Sequence, residues 1–283
     1  MTAPQRVGVL GGGRMGAGIA HAFLLAGSRV HVVERDETAM DAAAARIRDA
    51  VRHSIERGTT TASAPDLLAA LSTGVDLAAF AEADLVIEAV PEERALKAEA
   101  LARAEAAMDA ASILASNTSS ISIDDLAAGL QRPDRFIGMH FFNPVPASSL
   151  VEIVAGAATG VAEIAREWVT ALGKTPIVVR DSPGFASSRL GIALGLEAIR
   201  MLDEGVASAE DIDAAMVLGY RHPTGPLRTT DIVGLDVRLG IAEELLAQLG
   251  PRFAPPDLLR RMVADGRLGR KSGSGFYEWE NDS

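Results

Sequence analysis

The sequence predicts an α/β fold in which a doubly wound sheet over residues 1–183 precedes an all-α domain over residues 184–283. Strand and helix patterns alternate through the first two thirds, as in a parallel sheet with helices on both faces. A glycine cluster at residues 11–16 separates the first strand from the first helix. After Asp181-Ser182-Pro183-Gly184 only helical periodicity remains, so we place the domain boundary near residue 183.

The elements of the first domain follow from short apolar runs and helical stripes. Apolar runs predict strands at residues 7–10, 30–33, 85–87, 113–115, 137–142, 150–154 and 177–179. The i, i+4 stripe of Ile47, Val51 and Ile55 predicts a helix over residues 38–57, and further helices are predicted at 65–71 and 92–108.

The second domain contains helical patterns at residues 189–202, 209–218, 230–249 and 256–265. Gly191 and Gly195 lie one turn apart on the first of these helices. They permit close approach of another helix, either within this chain or from a second subunit. The small-residue faces lead us to expect a homodimer.

Composition excludes several classes of protein. The net charge of −11 argues against a nucleic-acid binder, whose surface normally carries excess Lys and Arg. The absence of cysteine excludes disulfides and thiolate zinc sites, and we expect no metal site. The first strand starts too early for a signal peptide, and no apolar run approaches the roughly 20 residues that span a bilayer. We therefore expect a soluble, cytoplasmic protein without membrane partners.

The glycine cluster predicts a dinucleotide site. Gly11, Gly13 and Gly16 give the G-x-G-x-x-G spacing, which allows a tight turn, close approach of a pyrophosphate and close packing of helix on strand. The second strand then ends at Glu34, near where a Rossmann-type domain places an acid for the ribose hydroxyls.

His140 and Glu152 are the strongest catalytic candidates. His140 lies where a strand runs into the turn Asn143-Pro144, and strand ends are where open α/β sheets place their chemistry. Glu152 interrupts the apolar run Leu150–Val154, where an unpaired carboxylate would be costly, so a partner is expected. A carboxylate beside an imidazole fixes its tautomer and favours the imidazolium that forms on proton transfer.

A polar run, Ser116-Asn117-Thr118-Ser119-Ser120, follows another predicted strand. Its hydroxyls and amides could serve as donors at the edge of the sheet. The run could equally cap the helix near Asp124, since Ser and Asn are good N-caps. Both interpretations remain open.

The chain resembles the short-chain L-3-hydroxyacyl-CoA dehydrogenase family, which includes bacterial 3-hydroxybutyryl-CoA dehydrogenases. The resemblance covers essentially the whole chain and is carried by G-G-G-R-M-G-A-G-I-A, D-L-V-I-E-A-V-P-E, S-N-T-S-S, H-F-F-N-P-V-P, L-V-E-I-V, P-G-F-A-S-S-R, H-P-T-G-P and G-R-K-S-G-S-G-F-Y. It implies NAD as cofactor, an acyl-CoA substrate, and a role in fatty-acid metabolism and β-oxidation.

The resemblance also implies individual roles. His140 would be the general base paired with Glu152, while Ser119 and Asn143 would contact the reacting oxygen and the nicotinamide end. The implied cofactor contacts are Gly11, Gly13, Arg14, Met15, Gly16, Glu34, Arg35, Glu92, Lys97, Ser119, Asn143 and Lys271; the implied substrate contacts are Ser119, Ser188 and Arg57.

Three positions depart from the family pattern. Glu34 stands where the family usually has aspartate; it would repel a 2′-phosphate and so favours NAD over NADP, although Arg35 weakens this preference. Ser188 replaces the family's asparagine in P-G-F-x-x-N-R and cannot reproduce the reach of an amide. Arg57 stands where the family has a CoA-contacting lysine.

We therefore expect an NAD-dependent L-3-hydroxyacyl-CoA dehydrogenase. The nearest alternative is a dehydrogenase of a free hydroxy acid of the L-gulonate or carnitine type, which Ser188 keeps open. A second is a non-catalytic NAD-binding relative, against which the His140–Glu152 pair argues. A third, a β-hydroxyacid dehydrogenase with a lysine base, finds no lysine in the turn after Pro183-Gly184-Phe185.

Overall fold

A computed structural model describes residues 2–280 of the chain. It divides into two compact units, one ending at Ser182 and the other beginning at Pro183. Within residues 2–280, the first unit contains all eight strands, and the second is helical.

The strands of the first unit form one sheet. In chain order they are β1 (Arg6–Leu10), β2 (Arg29–Val33), β3 (Leu71–Gly74), β4 (Leu85–Glu88), β5 (Ile113–Ser116), β6 (Phe136–Phe141), β7 (Leu150–Ala155) and β8 (Thr175–Arg180). Their order across the sheet is β3-β2-β1-β4-β5-β6-β7-β8. The order reverses between β1 and β4, as in a Rossmann-type sheet.

One strand pair departs from the expected parallel sheet. β7 runs antiparallel to β6, whereas every other neighbouring pair is parallel. The connection of residues 142–149 is too short for the crossover that a parallel pair would need, so the chain must return as a neighbouring antiparallel strand.

The helices of the first unit cover the sheet. They are α1 (Arg14–Leu25), α2 (Glu37–Glu56), α3 (Ala64–Ala69), α4 (Arg94–Ala107), α5 (Ile123–Ala127) and α6 (Ala162–Ala171). The core lies between α1, α2, α6 and the sheet, and it includes Ile19, Phe23, Ile47, Ile137 and Val169.

Two expectations about element boundaries are wrong. The helix predicted at residues 65–71 ends at Ala69, and Leu71 begins the unpredicted edge strand β3. The helix predicted at 230–249 is broken at Gly234, whose φ of +108° no right-handed helix accommodates. The apolar spacing continues across this break, which is why the sequence pattern does not reveal it.

The second unit contains five helices among the described residues: α7 (Ser187–Asp203), α8 (Ala209–Tyr220), α9 (Pro226–Val233), α10 (Leu235–Leu249) and α11 (Asp257–Ala264). Both glycines of α7 pack within this unit. A Cβ on Gly191 would lie 3.1 Å from Arg238 Nη1 of α10, and one on Gly195 would lie 3.3 Å from Thr230 Oγ1 of α9. These glycines therefore serve internal packing.

Between residues 2 and 280, none of the helices combines the length and the apolar character needed to cross a membrane.

Candidate active site

The carboxyl ends of β1, β2, β4, β5 and β6 meet at one edge of the sheet because these strands are parallel. Several of the predicted site residues of the first unit occupy the connections that leave this edge. The glycine turn follows β1, Glu34 follows β2, Glu92 lies after β4, Ser119 after β5 and Asn143 after β6. The topology therefore explains why residues far apart in sequence collect there.

The glycine turn has the geometry that a dinucleotide requires. Gly11 has φ +94°, and a Cβ there would lie 2.9 Å from Ala89 O. A Cβ on Gly16 would lie 1.8 Å from Gly11 O, so α1 can pack against the turn only with glycine at this position. At Gly13 a Cβ would meet no atom within 4 Å, and α1 begins there without a side-chain cap. The open space and the uncapped N–H groups fit a diphosphate.

Arg14 and Met15 open α1. Arg14 is exposed, and Met15 is partly buried against the core.

Glu34 is held beside the glycine turn. Its Oε1 accepts a hydrogen bond of 2.6 Å from Gly12 N, and its Oε2 accepts one of 3.1 Å from Arg35 N. The Arg35 guanidinium is exposed and pairs with Asp36 at 3.0 Å. The longer glutamate thus still presents a carboxylate at the end of β2, where ribose hydroxyls could donate to it.

His140 and Glu152 lie directly opposite each other on β6 and β7. Opposite residues of an antiparallel pair point to the same face, which brings the two side chains together. His140 Nδ1 lies 2.8 Å from Glu152 Oε2; the histidine is buried and the glutamate has no exposed surface. The carboxylate can only accept, so Nδ1 carries the proton and the lone pair is on Nε2.

Two residues that sequence reasoning missed support His140. Asn117 Oδ1 accepts a 2.9 Å hydrogen bond from Phe141 N, tying the end of β6 to the turn after β5. The Phe142 ring lies with its centroid 4.4 Å from that of His140. Asn117 belongs to the S-N-T-S-S run that the sequence analysis noted, but its contact depends on strands β5 and β6 being neighbours.

Asn143 is exposed and lies two residues after the end of β6, before the cis peptide bond to Pro144. Lys174 anchors the connection that contains it, donating to Val145 O at 2.7 Å and to Ser148 O at 2.5 Å.

Ser119 lies in a turn that the carboxylate of Glu92 organises. Glu92 Oε1 accepts hydrogen bonds from Thr118 Oγ1 at 2.6 Å, Ser119 N at 2.8 Å and Ser119 Oγ at 3.2 Å. Burial alone would raise the pKa of Glu92, but the charge of Lys97 and these hydrogen bonds hold the pKa below its ordinary value. The N-cap of α5, which the sequence left open for this run, is Ser122.

Lys97 is buried between two carboxylates. Its Nζ lies 2.8 Å from Glu88 Oε1 and 3.1 Å from Glu92 Oε2, and it donates to Val90 O at 3.1 Å. The side chain is only 2% exposed. Glu88 was not a predicted site residue; its signal in the sequence is an acid at the end of the apolar run Leu85-Val86-Ile87.

Arg57 caps the C-terminus of α2 and is exposed. On the same helix, Arg46 Nη1 lies 3.3 Å from Gly12 O, so this guanidinium contacts the glycine turn.

The remaining two predicted residues belong to the second unit. Ser188 lies in the first turn of α7. Lys271 Nζ lies 2.6 Å from Asp236 Oδ2, and Asp231 fixes the segment that follows it by accepting from Phe276 N, Tyr277 N and Trp279 Nε1 at 2.8–2.9 Å.

Residues 6–182 match the model of the 3-hydroxyacyl-CoA dehydrogenase NAD-binding domain, and residues 184–279 match the model of its C-terminal domain. A 3-hydroxybutyryl-CoA dehydrogenase of Mycobacterium tuberculosis is 43% identical over 281 residues, covering 97% of this chain and 98% of that protein. A probable 3-hydroxybutyryl-CoA dehydrogenase of Deinococcus radiodurans is 42% identical over 278 residues, covering 97% and 100%.

The fold agrees with these matches. The crystal structure of (S)-3-hydroxybutyryl-CoA dehydrogenase from Ralstonia eutropha superposes with a TM-score of 0.94 at 40% identity, covering 99% of this chain and 100% of that one. The Rossmann-type turn and the His140–Glu152 pair are consistent with the family matches, which extend across both units. The chain therefore belongs to the 3-hydroxyacyl-CoA dehydrogenase family, whose N-terminal domain binds NAD.

Proposed function

We propose that this protein catalyses the reversible, NAD-dependent oxidation of a short-chain L-3-hydroxyacyl-CoA, such as 3-hydroxybutyryl-CoA, to the 3-ketoacyl-CoA. The buried His140–Glu152 contact of 2.8 Å is the observation that carries the proposal. It supplies a base whose charged form is compensated, as proton removal from an alcohol requires.

In the oxidative direction, His140 Nε2 accepts the proton of the C3 hydroxyl. Glu152 stabilises the imidazolium that forms and keeps Nδ1 protonated. Ser119 and Asn143 hold the oxygen on which charge changes. NAD, when bound, supplies the hydride acceptor. In the reverse direction, protonated His140 returns its proton to the oxygen.

Residues of the first unit are suited to NAD. The turn at Gly11, Gly13 and Gly16 fits the diphosphate, with Arg14 and Met15 opening the helix above it. Glu34 accepts from the ribose hydroxyls and repels a 2′-phosphate. Arg35 is directed to Asp36, so its charge is partly compensated and the preference for NAD over NADP stands.

Lys271 of the second unit is a further candidate cofactor contact, inferred from the family pattern. Lys97 is instead enclosed by Glu88 and Glu92, so it acts through Glu92.

The CoA thioester is favoured over a free hydroxy acid because the relatives named above are CoA dehydrogenases along their full length. Arg57, exposed and without an ion-pair partner between residues 2 and 280, is available for a CoA phosphate. Ser188 replaces a family asparagine and is the position at which substrate preference is expected to differ. The L-gulonate or carnitine type and the non-catalytic relative are both less well supported.

We also propose a homodimer formed through the second unit. In the part of this unit that the structure describes, seven large apolar side chains are exposed: Leu190, Val206, Leu218, Tyr220, Ile232, Val233 and Val237. Three of them are 70–80% exposed, and burial against a second copy would remove this apolar surface from water. NAD and CoA thioesters are used inside cells, which supports a cytoplasmic location. The proposed oxidation of a 3-hydroxyacyl-CoA to a 3-ketoacyl-CoA supports a place in fatty-acid β-oxidation.

The substitution His140→Gln tests the base. Glutamine preserves much of the side-chain volume but cannot accept the proton. Turnover of acetoacetyl-CoA should fall by at least about 10²-fold, while NADH binding, followed by fluorescence, stays unchanged. Near-normal turnover would exclude His140 as the base.

A further inference from the structure

A network of three charged side chains lies beside the turn that carries Ser119. Glu88 ends β4, Glu92 lies in the connection that follows, and Lys97 belongs to α4. The three protons of the Lys97 ammonium meet three acceptors, Glu88 Oε1, Glu92 Oε2 and Val90 O, at 2.8–3.1 Å. The ammonium is thereby fixed between the two carboxylates.

Glu88 is the immobile end of the network. It has no exposed surface. Besides Lys97, it accepts hydrogen bonds from Val90 N at 2.7 Å and from Ser116 Oγ at 2.6 Å. Ser116 Oγ in turn accepts from Thr118 N at 3.2 Å. Both oxygens of Glu88 are therefore held by strand and loop, and its carboxylate provides a rigid support for Lys97.

Glu92 is the end of the network that meets the turn. Its side chain is 36% exposed, so it would have several rotamers available without a partner. Lys97 fixes one oxygen, and the other accepts from the amides of Ser119 and Ser120 at 2.8 and 3.2 Å. The position of the turn thus depends on Glu92, and that of Glu92 on the buried pair behind it.

We infer that Glu88 is a positioning residue that, through Lys97 and Glu92, holds the turn at residues 118–120 and thereby aims the Ser119 hydroxyl. The inference rests on the proposed function, in which Ser119 contacts the reacting oxygen. A buried ion pair by itself need not stabilise a fold, because desolvation offsets much of its attraction. Holding the turn that contacts the substrate is a role for this pair that does not require a net gain in stability.

Glu105 offers a matched control. It is a buried carboxylate of α4, the helix that also carries Lys97. It accepts from the amides of Gln131 and Arg132, both at 2.8 Å, so its partners lie in a different loop. Glu105→Gln removes a buried charge of the same kind without touching the network.

The test compares Glu88→Gln with Glu105→Gln. In Glu88→Gln the ammonium keeps Glu92 as its only carboxylate and draws it away from the turn. Hydrogen exchange at the Ser119 and Ser120 amides should accelerate about 10-fold or more, as expected for loss of a charge-assisted hydrogen bond. The kcat for acetoacetyl-CoA should fall about 10-fold, with KM changed by less than about 3-fold. Glu105→Gln should leave both the exchange at these two amides and kcat near wild type.

A second variant guards against misfolding. If Glu88→Gln does not fold, Glu88→Gln/Lys97→Met removes both buried charges and should fold, yet still release Glu92 and accelerate the same exchange. Wild-type exchange at Ser119 and Ser120 in either folded variant overturns the inference. Absence of dehydrogenase activity in the wild type would instead overturn the proposed function, because the exchange measurement does not require turnover.

Discussion

At His140, strand register and side-chain chemistry together decide which ring nitrogen accepts a proton. The antiparallel pairing of β6 and β7 places Glu152 opposite it, and the carboxylate holds the proton on Nδ1. The sequence predicts this partnership from a costly acid in an apolar run, although it does not predict the antiparallel direction of β7. The cost of burying a carboxylate was enough to predict the pairing of Glu152 with His140, because few partners could satisfy a fully buried carboxylate.

Glu152→Gln tests the partner separately from the base. Glutamine can still hydrogen-bond to His140, but it cannot compensate the imidazolium charge and it can stabilise the wrong tautomer. We expect kcat to fall about 10²-fold or more while NADH affinity is unchanged. A kcat within a few-fold of wild type would show that the carboxylate serves only packing.

Other residues could not be assigned from the sequence in the same way. Lys97 and Glu92 were identified through family resemblance, but the contacts of Lys97 with Glu92 and with Glu88 depend on how β4, α4 and the turn after β5 meet. Asn117 was missed for the same reason: nothing in S-N-T-S-S states that its amide reaches Phe141. Contacts between connections that are distant in sequence require the sheet order.

At the scale of elements, α1 and α2 are joined by an unusual buried polar contact. His21 of α1 is 1% exposed, and its Nε2 lies 3.0 Å from Ser54 Oγ of α2. Burial, together with the charge of Lys174, lowers the pKa of His21 from the ordinary 6.5. The packing of the two helices therefore favours the neutral form of the His21 imidazole.

This contact predicts acid sensitivity. Below about pH 6.5 the unfolded chain takes up a proton at His21 that the folded protein resists, so the free energy of unfolding falls as the pH falls and is fully restored above that pH. Urea unfolding should show that the free energy of unfolding falls more between pH 6.5 and 5.5 in the wild type than in His21→Gln, by up to about 1 kcal/mol.

The control for this experiment is His53→Gln, since His53 is an exposed histidine of α2. That variant should keep the wild-type slope. Equal slopes in wild type and His21→Gln would contradict the assignment.

The boundaries of helices and strands differ in how well the sequence predicts them. The apolar stripe of α2 identified that helix to within one residue at each end, and the predicted bounds of α4 lie within about two residues of the observed ones. The edge strand β3 has only four residues, Leu71-Ser72-Thr73-Gly74, too few for a period to be recognised. The break at Gly234 was hidden because apolar residues flank it on both sides and only its φ marks the end of α9.

At the scale of the whole molecule, exposed apolar side chains of the second unit predict self-association. Light scattering should give about twice the mass of one 29.5 kDa chain. Replacing the strongly exposed Leu218 by Lys should shift the protein towards the monomer, because a desolvated ammonium in an interface is costly. The matched exposed residue Val75 of the first unit, changed to Lys, should leave the mass unaltered. A wild-type monomer would contradict the homodimer.

The division into an α/β unit and a helical unit was predictable because the change in periodicity is abrupt at Pro183-Gly184. The substrate was harder to predict from the sequence than the fold. Arg57 is an exposed cation at the end of a helix, and contact with a phosphate is only one use for such a residue. The thioester assignment depends on relatives that match along the full length of the chain.

The most direct test of the proposed CoA-dependent activity follows NADH oxidation with acetoacetyl-CoA and, in parallel, with free acetoacetate at the same concentration. We expect rapid oxidation with the thioester and at least about 10²-fold less with the free acid, since the CoA moiety contributes binding energy remote from the reacting carbon. Equal rates, or oxidation with the free acid alone, would contradict a CoA-dependent dehydrogenase and direct attention to Ser188 as the mark of a different substrate.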